Sequence, residues 1–364
     1  MIKDFKISSS GLNVTFENKS EDFYPNIWLR DHAKDEINWD KRSSQRKTFT
    51  ASLDPNLYIK KALLNKEDQN IEIIWSDLDT PTNYDFEFLF SQSLNFSSKL
   101  KSINTWTKNH ISNEMFIKFD EISREEGFIK FLKKIKKFGF AVISDCNPNT
   151  GSVEKIAKKI GYVRHSIFGG LFEFESDENM ADSAYTQEEL RPHTDGSYSY
   201  DAPGLQLLLC CHYDAKGGES IMVDGFRIAE KLQKEDPSLF NILSKIEVPG
   251  NYIGDGVFLE ARRPVFKIDS NNEILQVTFN NYDRGSFRID NDSTIKFYEA
   301  IRKFDYYANS KDYQWRYILK PGEMLVFDNW RLLHGRGEFN GSRKMAGCYL
   351  NKEDFDSICR MNNI

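Results

Sequence analysis

Glu323-Met324-Leu325-Val326-Phe327-Asp328-Asn329-Trp330-Arg331-Leu332-Leu333-His334-Gly335-Arg336 is the stretch on which the reading of this chain turns. It opens as an apolar run of strand length, Glu323 to Phe327, and then delivers a histidine. Far upstream stands His193-Thr194-Asp195. Residues one apart on an extended segment point to one face, so His193 and Asp195 can grip one ion together. His334, at a strand end, closes the set from across a barrel. Two imidazoles and a carboxylate occupy one face of an octahedral metal and leave the other open, the donor set of non-haem Fe(II) oxygenases. His-x-Asp alone arises by chance, and the bland alternative is a pair of polar residues on a surface loop. The distant histidine, followed by Arg343, lifts the pair above that alternative.

Outward from this stretch the chain after Tyr200 is strand-like: Gly204 to Cys211, Ser220 to Val223 and Ile274 to Phe279. Asp224 to Leu239 and Ser293 to Ala308 read as helical inserts. Upstream, Gly127 to Leu132 opens an amphipathic helix, Phe138 to Ile143 is a compact apolar strand, and Val153 to Ile160 is a second helix. Many strands with helices at one flank predict a mainly β domain over 120–364, a double-stranded β-helix or jelly roll. Residues 1–105 read as a separate small β-rich domain. Leu12 to Phe16 alternates apolar and polar, Ile71 to Trp75 and Tyr84 to Leu89 are further strands, and Asp54-Pro55-Asn56 is a turn. The polar stretch from Ser91 to Glu114 holds the boundary.

The 364 residues carry a net charge of −6, which argues against a nucleic-acid partner. Lys133-Lys134-Ile135-Lys136-Lys137 reads as the wet face of a helix. No apolar stretch approaches bilayer length, and Met1 to Phe5 has no signal core. The five cysteines are odd in number and lack CxxC spacing, so disulfides and a thiolate zinc site are not expected. Cys210-Cys211 read as small buried hydrophobes in a strand. The expectation is a soluble cytoplasmic protein without membrane association.

Around the metal set, Arg343 is the anchor for a dicarboxylate co-substrate. 2-Oxoglutarate chelates iron through its keto-acid end, and a guanidinium suits the far carboxylate. Arg336 competes for that role, and its alternative is a structural ion pair. Gly217-Gly218-Glu219-Ser220 gives a tight turn in which Ser220 can reach the co-substrate; an ordinary strand turn explains it equally well. Phe168, Phe172, Tyr185, Tyr198, Tyr200, Tyr282 and Tyr349 are dense enough to form an aromatic box for a quaternary ammonium group, although each ring alone is more often core.

At these residues the chain resembles the γ-butyrobetaine/trimethyllysine dioxygenases, within the taurine-dioxygenase-like Fe(II)/2-oxoglutarate oxygenases. The resemblance covers nearly the whole length. It is carried by Trp28-Leu29-Arg30-Asp31-His32, Asp182 to Thr186, His193-Thr194-Asp195, Val223-Asp224-Gly225-Phe226, Phe279 to Arg284, and Phe327 to Tyr349. The short His334-to-Arg343 loop and Asn281-Tyr282-Asp283-Arg284 look more like the trimethyllysine branch. The resemblance implies iron on His193, Asp195 and His334, and 2-oxoglutarate on Arg343 within Arg-x-x-x-Gly-x-Tyr. It implies cage rings at Tyr185 and Tyr349 and polar substrate contacts at Asp182 and Asn280. The reaction implied is hydroxylation of an unactivated C–H with O2, releasing succinate and CO2, with ascorbate as activator, in the manner of carnitine biosynthesis. A homodimer is also implied. Phe168 and Phe172 fall where the family has Tyr and Trp, and Gly196 opens space beside the metal set. The family's N-terminal module binds zinc through cysteines, yet this chain has none before Cys146, so no structural zinc is expected. Rival readings are the same chemistry on a trimethylammonium phosphonate or a sulfonate, a metal hydrolase, and a 2-oxoglutarate sensor.

Overall fold

The computed structural model describes residues 1–94, 103–111, 113–175, 187–254 and 256–364. They fall into two compact units, Met1–Ser102 and Ile103–Ile364.

The first unit is built on two three-stranded antiparallel sheets. One joins Ile2–Ile7, Gly11–Phe16 and Glu21–Pro25; the other joins Ile59–Asn65, Asn70–Trp75 and Thr82–Asp85. Period-two patterning sets the buried faces: Ile71, Ile73 and Trp75 go inward with Leu12, Val14 and Phe16. The Trp75 indole donates to Thr82 Oγ1 at 2.8 Å, so the largest core ring keeps its polar atom paired. Tyr84 to Leu89 is not one strand. It ends at Asp85, whose carboxylate accepts the Phe88 N–H at 2.7 Å and caps the helix Phe86–Ser91.

The second unit is mainly β, and its two largest sheets form a double-stranded β-helix. The larger sheet runs Val163–Arg164, Phe339–Leu350, Leu205–Gly217, Met324–Asp328, Phe140–Ser144, Phe116–Lys118, with Phe172–Glu175 also on Phe339–Leu350. The smaller runs Leu190–His193, Leu332–Arg336, Ser220–Asp224, Gln314–Tyr317. Alternation divides each strand between core and cavity. Leu205, Leu207 and Leu209 pack under the helices Glu125–Phe138 and Thr150–Ile160, with Ala346 and Cys348. Their neighbours Gln206 and Leu208 face the interior cavity, as do Arg343 and Tyr349. On the smaller sheet Ile221 and Val223 pack outward on helical side chains, while Ser220 and Met222 face the cavity.

Trp106 belongs to this unit: its indole donates to Phe138 O at 2.6 Å, and its N–H donates to Asp224 Oδ2. Lys133, Lys136 and Lys137 lie exposed on their helix and Lys134 half-buried, with Ile135 buried between them. The insert after Asp224 is two helices, Gly225–Glu235 and Pro237–Lys245, because Pro237 lacks the N–H that continues a helix and Asp236 caps Leu239. The strand after Ile274 stops at Val277. Cys211 is half-buried rather than buried; Cys210 and the remaining thiols are buried, and all five are free. Among the described residues no helix is long and apolar enough to cross a membrane.

Candidate active site

His193 and His334 stand opposite each other in register on neighbouring strands of the smaller sheet, their rings 4.4 Å apart. His334 is therefore mid-strand, and it reaches the site from the adjacent strand instead of from across the barrel. The His193 strand ends at that residue. Asp195 lies in the following bend, so a turn rather than a shared strand face brings its carboxylate back. His193 Nε2 is 3.4 Å from Asp195 Oδ1, and His334 Nε2 is 3.5 Å from Oδ2. One ligand atom from each of the three lies within 4.8 Å of the others. The His193 Nδ1 sits 2.8 Å from Arg191 O; with the proton there, Nε2 is left as the lone-pair nitrogen facing the site.

Burial pushes His334 down to about 4, although Asp195 pulls the other way, so its ring is neutral at physiological pH. For His193 the contact with Asp195 outweighs burial and the shift is upward. Burial alone raises the Asp195 carboxyl, but both imidazoles and the Tyr349 hydroxyl outweigh it and hold it below the usual carboxylate range. The result is an ionised oxygen donor beside two imidazoles, a set that suits a first-row divalent metal.

The backbone of Asp195 is gripped from inside by Asn329. Its Oδ1 accepts the Asp195 N–H at 2.8 Å, and its Nδ2 donates to Asp195 O at 3.1 Å and Pro203 O at 2.9 Å. The Tyr349 hydroxyl donates to Asp195 Oδ2 at 2.7 Å. Tyr349, expected as a substrate ring, thus orients the Asp195 carboxylate. Gly196 takes φ +72°, and a Cβ there would lie 2.5 Å from Pro203 Cδ, so turn geometry requires this glycine.

Arg343 lines the cavity at 8% exposure, and its guanidinium makes no hydrogen bond or ion pair among the described residues. Arg336 also lines it, but donates to Glu188 O at 2.8 Å and lies 4.9 Å over the Phe339 ring. Burial pushes Arg336 down to about 10, and Arg343 adds to that shift. Ser220 sits opposite Arg336 in register. Gly217 at φ +82° is forced, since a Cβ would meet Glu338 O at 2.3 Å.

Phe168, Phe172 and Tyr349 form one aromatic wall, with centroids 5.7, 5.4 and 6.5 Å apart, extended by Phe174. Tyr198 packs at a tilt against Tyr252, with centroids 5.3 Å apart, and lines the same cavity. Asn280 lines it too, with its Nδ2 given to Asp283 Oδ2 at 2.8 Å. Tyr282 meets His193 edge-on at 5.6 Å. Tyr200 is 93% exposed and stands outside the cavity, so it is not a box residue. Asp182 and Tyr185 lie outside the described residues. Nothing in the sequence marks Asn329 or Phe174 as part of the site. Asn329 lies within the deciding stretch, but nothing local marks which polar residue there turns inward.

The sequence model of the taurine catabolism dioxygenase TauD, TfdA family matches residues 108–349, and that of the gamma-butyrobetaine hydroxylase-like N-terminal family matches 4–90. The trimethyllysine dioxygenase of Meyerozyma guilliermondii is 30% identical, covering 97% of this chain and 94% of its own. The human mitochondrial trimethyllysine dioxygenase is 31% identical, covering 92% and 82%. An asparagine oxygenase solved with Fe(II), 2S,3S-3-hydroxyasparagine and succinate shares the fold at a TM-score of 0.52 and 16% identity, over 64% of this chain and 81% of that one. With a family match across the whole β-helix and relatives at this identity over nearly the full length, the chain belongs to the TauD, TfdA family and is an enzyme of that dioxygenase class.

Proposed function

We propose that this dioxygenase hydroxylates an unactivated C–H of a small trimethylammonium or cationic amino-acid-like substrate, of the trimethyllysine or γ-butyrobetaine type. His193, Asp195 and His334 hold Fe(II), and Arg343 binds the far carboxylate of 2-oxoglutarate. The observation that carries this reading is the pairing of a three-donor cluster with an uncompensated buried guanidinium in one cavity. A buried charge without a partner is costly, and a dicarboxylate that chelates the metal at one end supplies the partner at the other.

When bound, the iron supplies the oxidising chemistry, drawing on 2-oxoglutarate and O2 and releasing succinate and CO2. The residues do the rest. The neutral His334 and the Nε2 of His193 present lone pairs, and Asn329 and Tyr349 fix the Asp195 carboxylate between them. Arg343 orients the co-substrate, with Ser220 and Arg336 beside it. Phe168, Phe172 and Tyr198 wall the cavity against water and turn aromatic faces to an ammonium group, while Asn280 contributes a polar contact. Asp182 and Tyr185 remain part of the proposed substrate site.

A second substrate reading, another small zwitterion such as a trimethylammonium phosphonate or a sulfonate, has one observation in its favour. The wall is rich in phenylalanine, a weaker cation–π face than tryptophan, which favours the sulfonate, a substrate without a quaternary ammonium group. The same proposal takes ascorbate as activator, a homodimer as the assembly, a cytoplasmic setting for the free thiols, and no nucleic-acid or membrane partner. It reads residues 1–105 and 120–364 as the two domains. It also reads the first as zinc-free, since no cysteine precedes Cys146.

The test is succinate formation with Fe(II), 2-oxoglutarate and O2 across trimethyllysine, γ-butyrobetaine and their phosphonate and sulfonate counterparts, with His193→Ala as control. Turnover on trimethyllysine that vanishes in the variant is expected. Turnover on the phosphonates or sulfonates alone moves the substrate to the second reading, and none on any compound sinks both.

A further inference from the structure

Arg263 closes the hairpin formed by Val248–Gly254 and Val257–Arg263. Its Nη2 lies 2.8 Å from Gly196 O and 3.2 Å from Ser197 O, and it also contacts Ser199 O. Three carbonyls of one turn thus converge on a single cationic nitrogen. Their dipoles point at one another, and a positive charge between them converts that repulsion into attraction. No carboxylate among the described residues is hydrogen-bonded to this guanidinium, so its charge is committed to the backbone. Burial pushes it down to about 10, with Asp201 favouring and Arg164 opposing the charged form.

The turn it grips begins at the residue after Asp195 and carries Tyr198 into the cavity. The same hairpin braces the opposite rim. Asn251 N–H donates to Asp283 O at 2.7 Å, Gly285 N–H donates to Pro249 O at 2.9 Å, and a Cβ on Gly250 would lie 2.5 Å from the Ser197 carbonyl carbon. Asn329 pins Asp195 itself; the next residue, Gly196, is the most freely rotating point of the segment. Without a restraint beyond it, Asp195 rests on Asn329 and Tyr349 alone, and the Tyr198 ring loses its fixed relation to His193 and His334.

We infer that Arg263 is a positioning residue for the metal centre: by tying the 196–199 turn to the hairpin, it fixes Asp195 as a ligand and Tyr198 as a cavity wall. This rests on the reading that His193, Asp195 and His334 hold a metal. The consequence is specific. Loss of the guanidinium weakens the metal more than it weakens 2-oxoglutarate, because Arg343 is carried by the other sheet.

The experiment titrates Co(II) anaerobically into the full-length wild type, Arg263→Met and Arg263→Lys, reading the ligand-field absorption and the rise in melting temperature on metal addition. Arg263→Met is expected to bind Co(II) about tenfold more weakly, in the range that outer-shell changes cost a metal site, with an altered absorption envelope. Its KM for 2-oxoglutarate is expected to stay within about twofold of wild type. Arg263→Lys, whose ammonium also donates to carbonyls, is expected to recover most of the affinity and the wild-type spectrum; it decides the matter if the Met variant does not fold. Wild-type affinity and spectrum in Arg263→Met overturn the inference, as does a Lys variant no better than Met. A wild type that binds no Co(II) overturns the metal assignment together with it.

Discussion

Two buried arginines in the two units meet opposite fates. In the N-terminal unit Arg30 is 5% exposed and fully engaged: its Nε contacts Asp77 at 3.2 and 3.1 Å, and its Nη1 donates to Asn38 Oδ1 at 2.8 Å. Asn38 passes the network to Asp35 at 2.6 Å and accepts from Thr48 at 2.7 Å. In the catalytic unit Arg343 is as deeply placed, yet it has no partner among the described residues. A buried charge costs several kcal/mol unless it is matched. Arg30 is matched by its own chain and serves the fold; Arg343 faces the cavity unmatched, as the proposed binding of 2-oxoglutarate requires. Burial alone does not separate structure from function, but the state of the hydrogen-bond partners does.

That contrast can be broken in four ways. The largest effect is expected at the clasp behind the smaller sheet, where Arg331 and Asp224 pair at 2.7 Å and are 3% and 0% exposed. Asp224→Asn leaves Arg331 buried without its counter-charge, and urea unfolding is expected to lose about 3–5 kcal/mol. Next comes Arg343→Met, expected to raise the KM for 2-oxoglutarate on the order of a hundredfold, as for a lost charge-assisted pair. Its melting temperature should hold or rise; a fall comparable to that of Asp224→Asn would make Arg343 another structural arginine. Arg30→Met is expected to do the reverse, costing about 2 kcal/mol by leaving Asn38 and Asp77 short of a donor, with kcat unchanged.

The smallest effect per group is alkaline. Burial pushes Cys146 and Cys348 up to about 12, and Cys210 and Cys359 up to about 11, from an ordinary 9.0. A raised thiol stabilises fully below the unfolded value and loses that contribution as pH climbs toward the folded one. Stability should therefore fall above pH 9 by about 1 kcal/mol per thiol per pH unit. All these thiols lie in the catalytic unit, so it should soften between pH 9 and 10 before the cysteine-free N-terminal unit does. Denaturation followed separately by Trp75 and by Trp106, each the single tryptophan retained in an otherwise phenylalanine-substituted chain, would reverse the comparison if Trp75 reported first.

What the sequence allowed tracks the range of the interaction. Leu205 to Leu209 and Ile71 to Trp75 are legible because alternation is local. His193, Asp195 and His334 are legible because donor chemistry restricts the residue types. The register that sets His193 opposite His334 was not, since pairing between distant strands leaves no mark on either one. Asn329 reaches Asp195 across 134 residues and Arg263 reaches Gly196 across 67, both through backbone atoms that every residue possesses. Such contacts carry no periodicity. The helix after Asp85 and the break at Pro237 were the other kind of miss, short-range cap and proline signals overridden by apolar patterning.

Arg343 and Tyr349 project into the cavity from one strand, Phe339–Leu350, while Ala346 and Cys348 between them face the helices. The arginine proposed to anchor the co-substrate and the hydroxyl that bonds Asp195 therefore share a parity. Side chains on this strand are free to change within their own face, but the count of residues is not. Deleting or inserting one residue between the two would send either the guanidinium or the phenol into the helix-packed layer. A change of length in this strand is thus expected to be tolerated only outside the segment from Arg343 to Tyr349, whose spacing of six positions keeps both side chains on the cavity face.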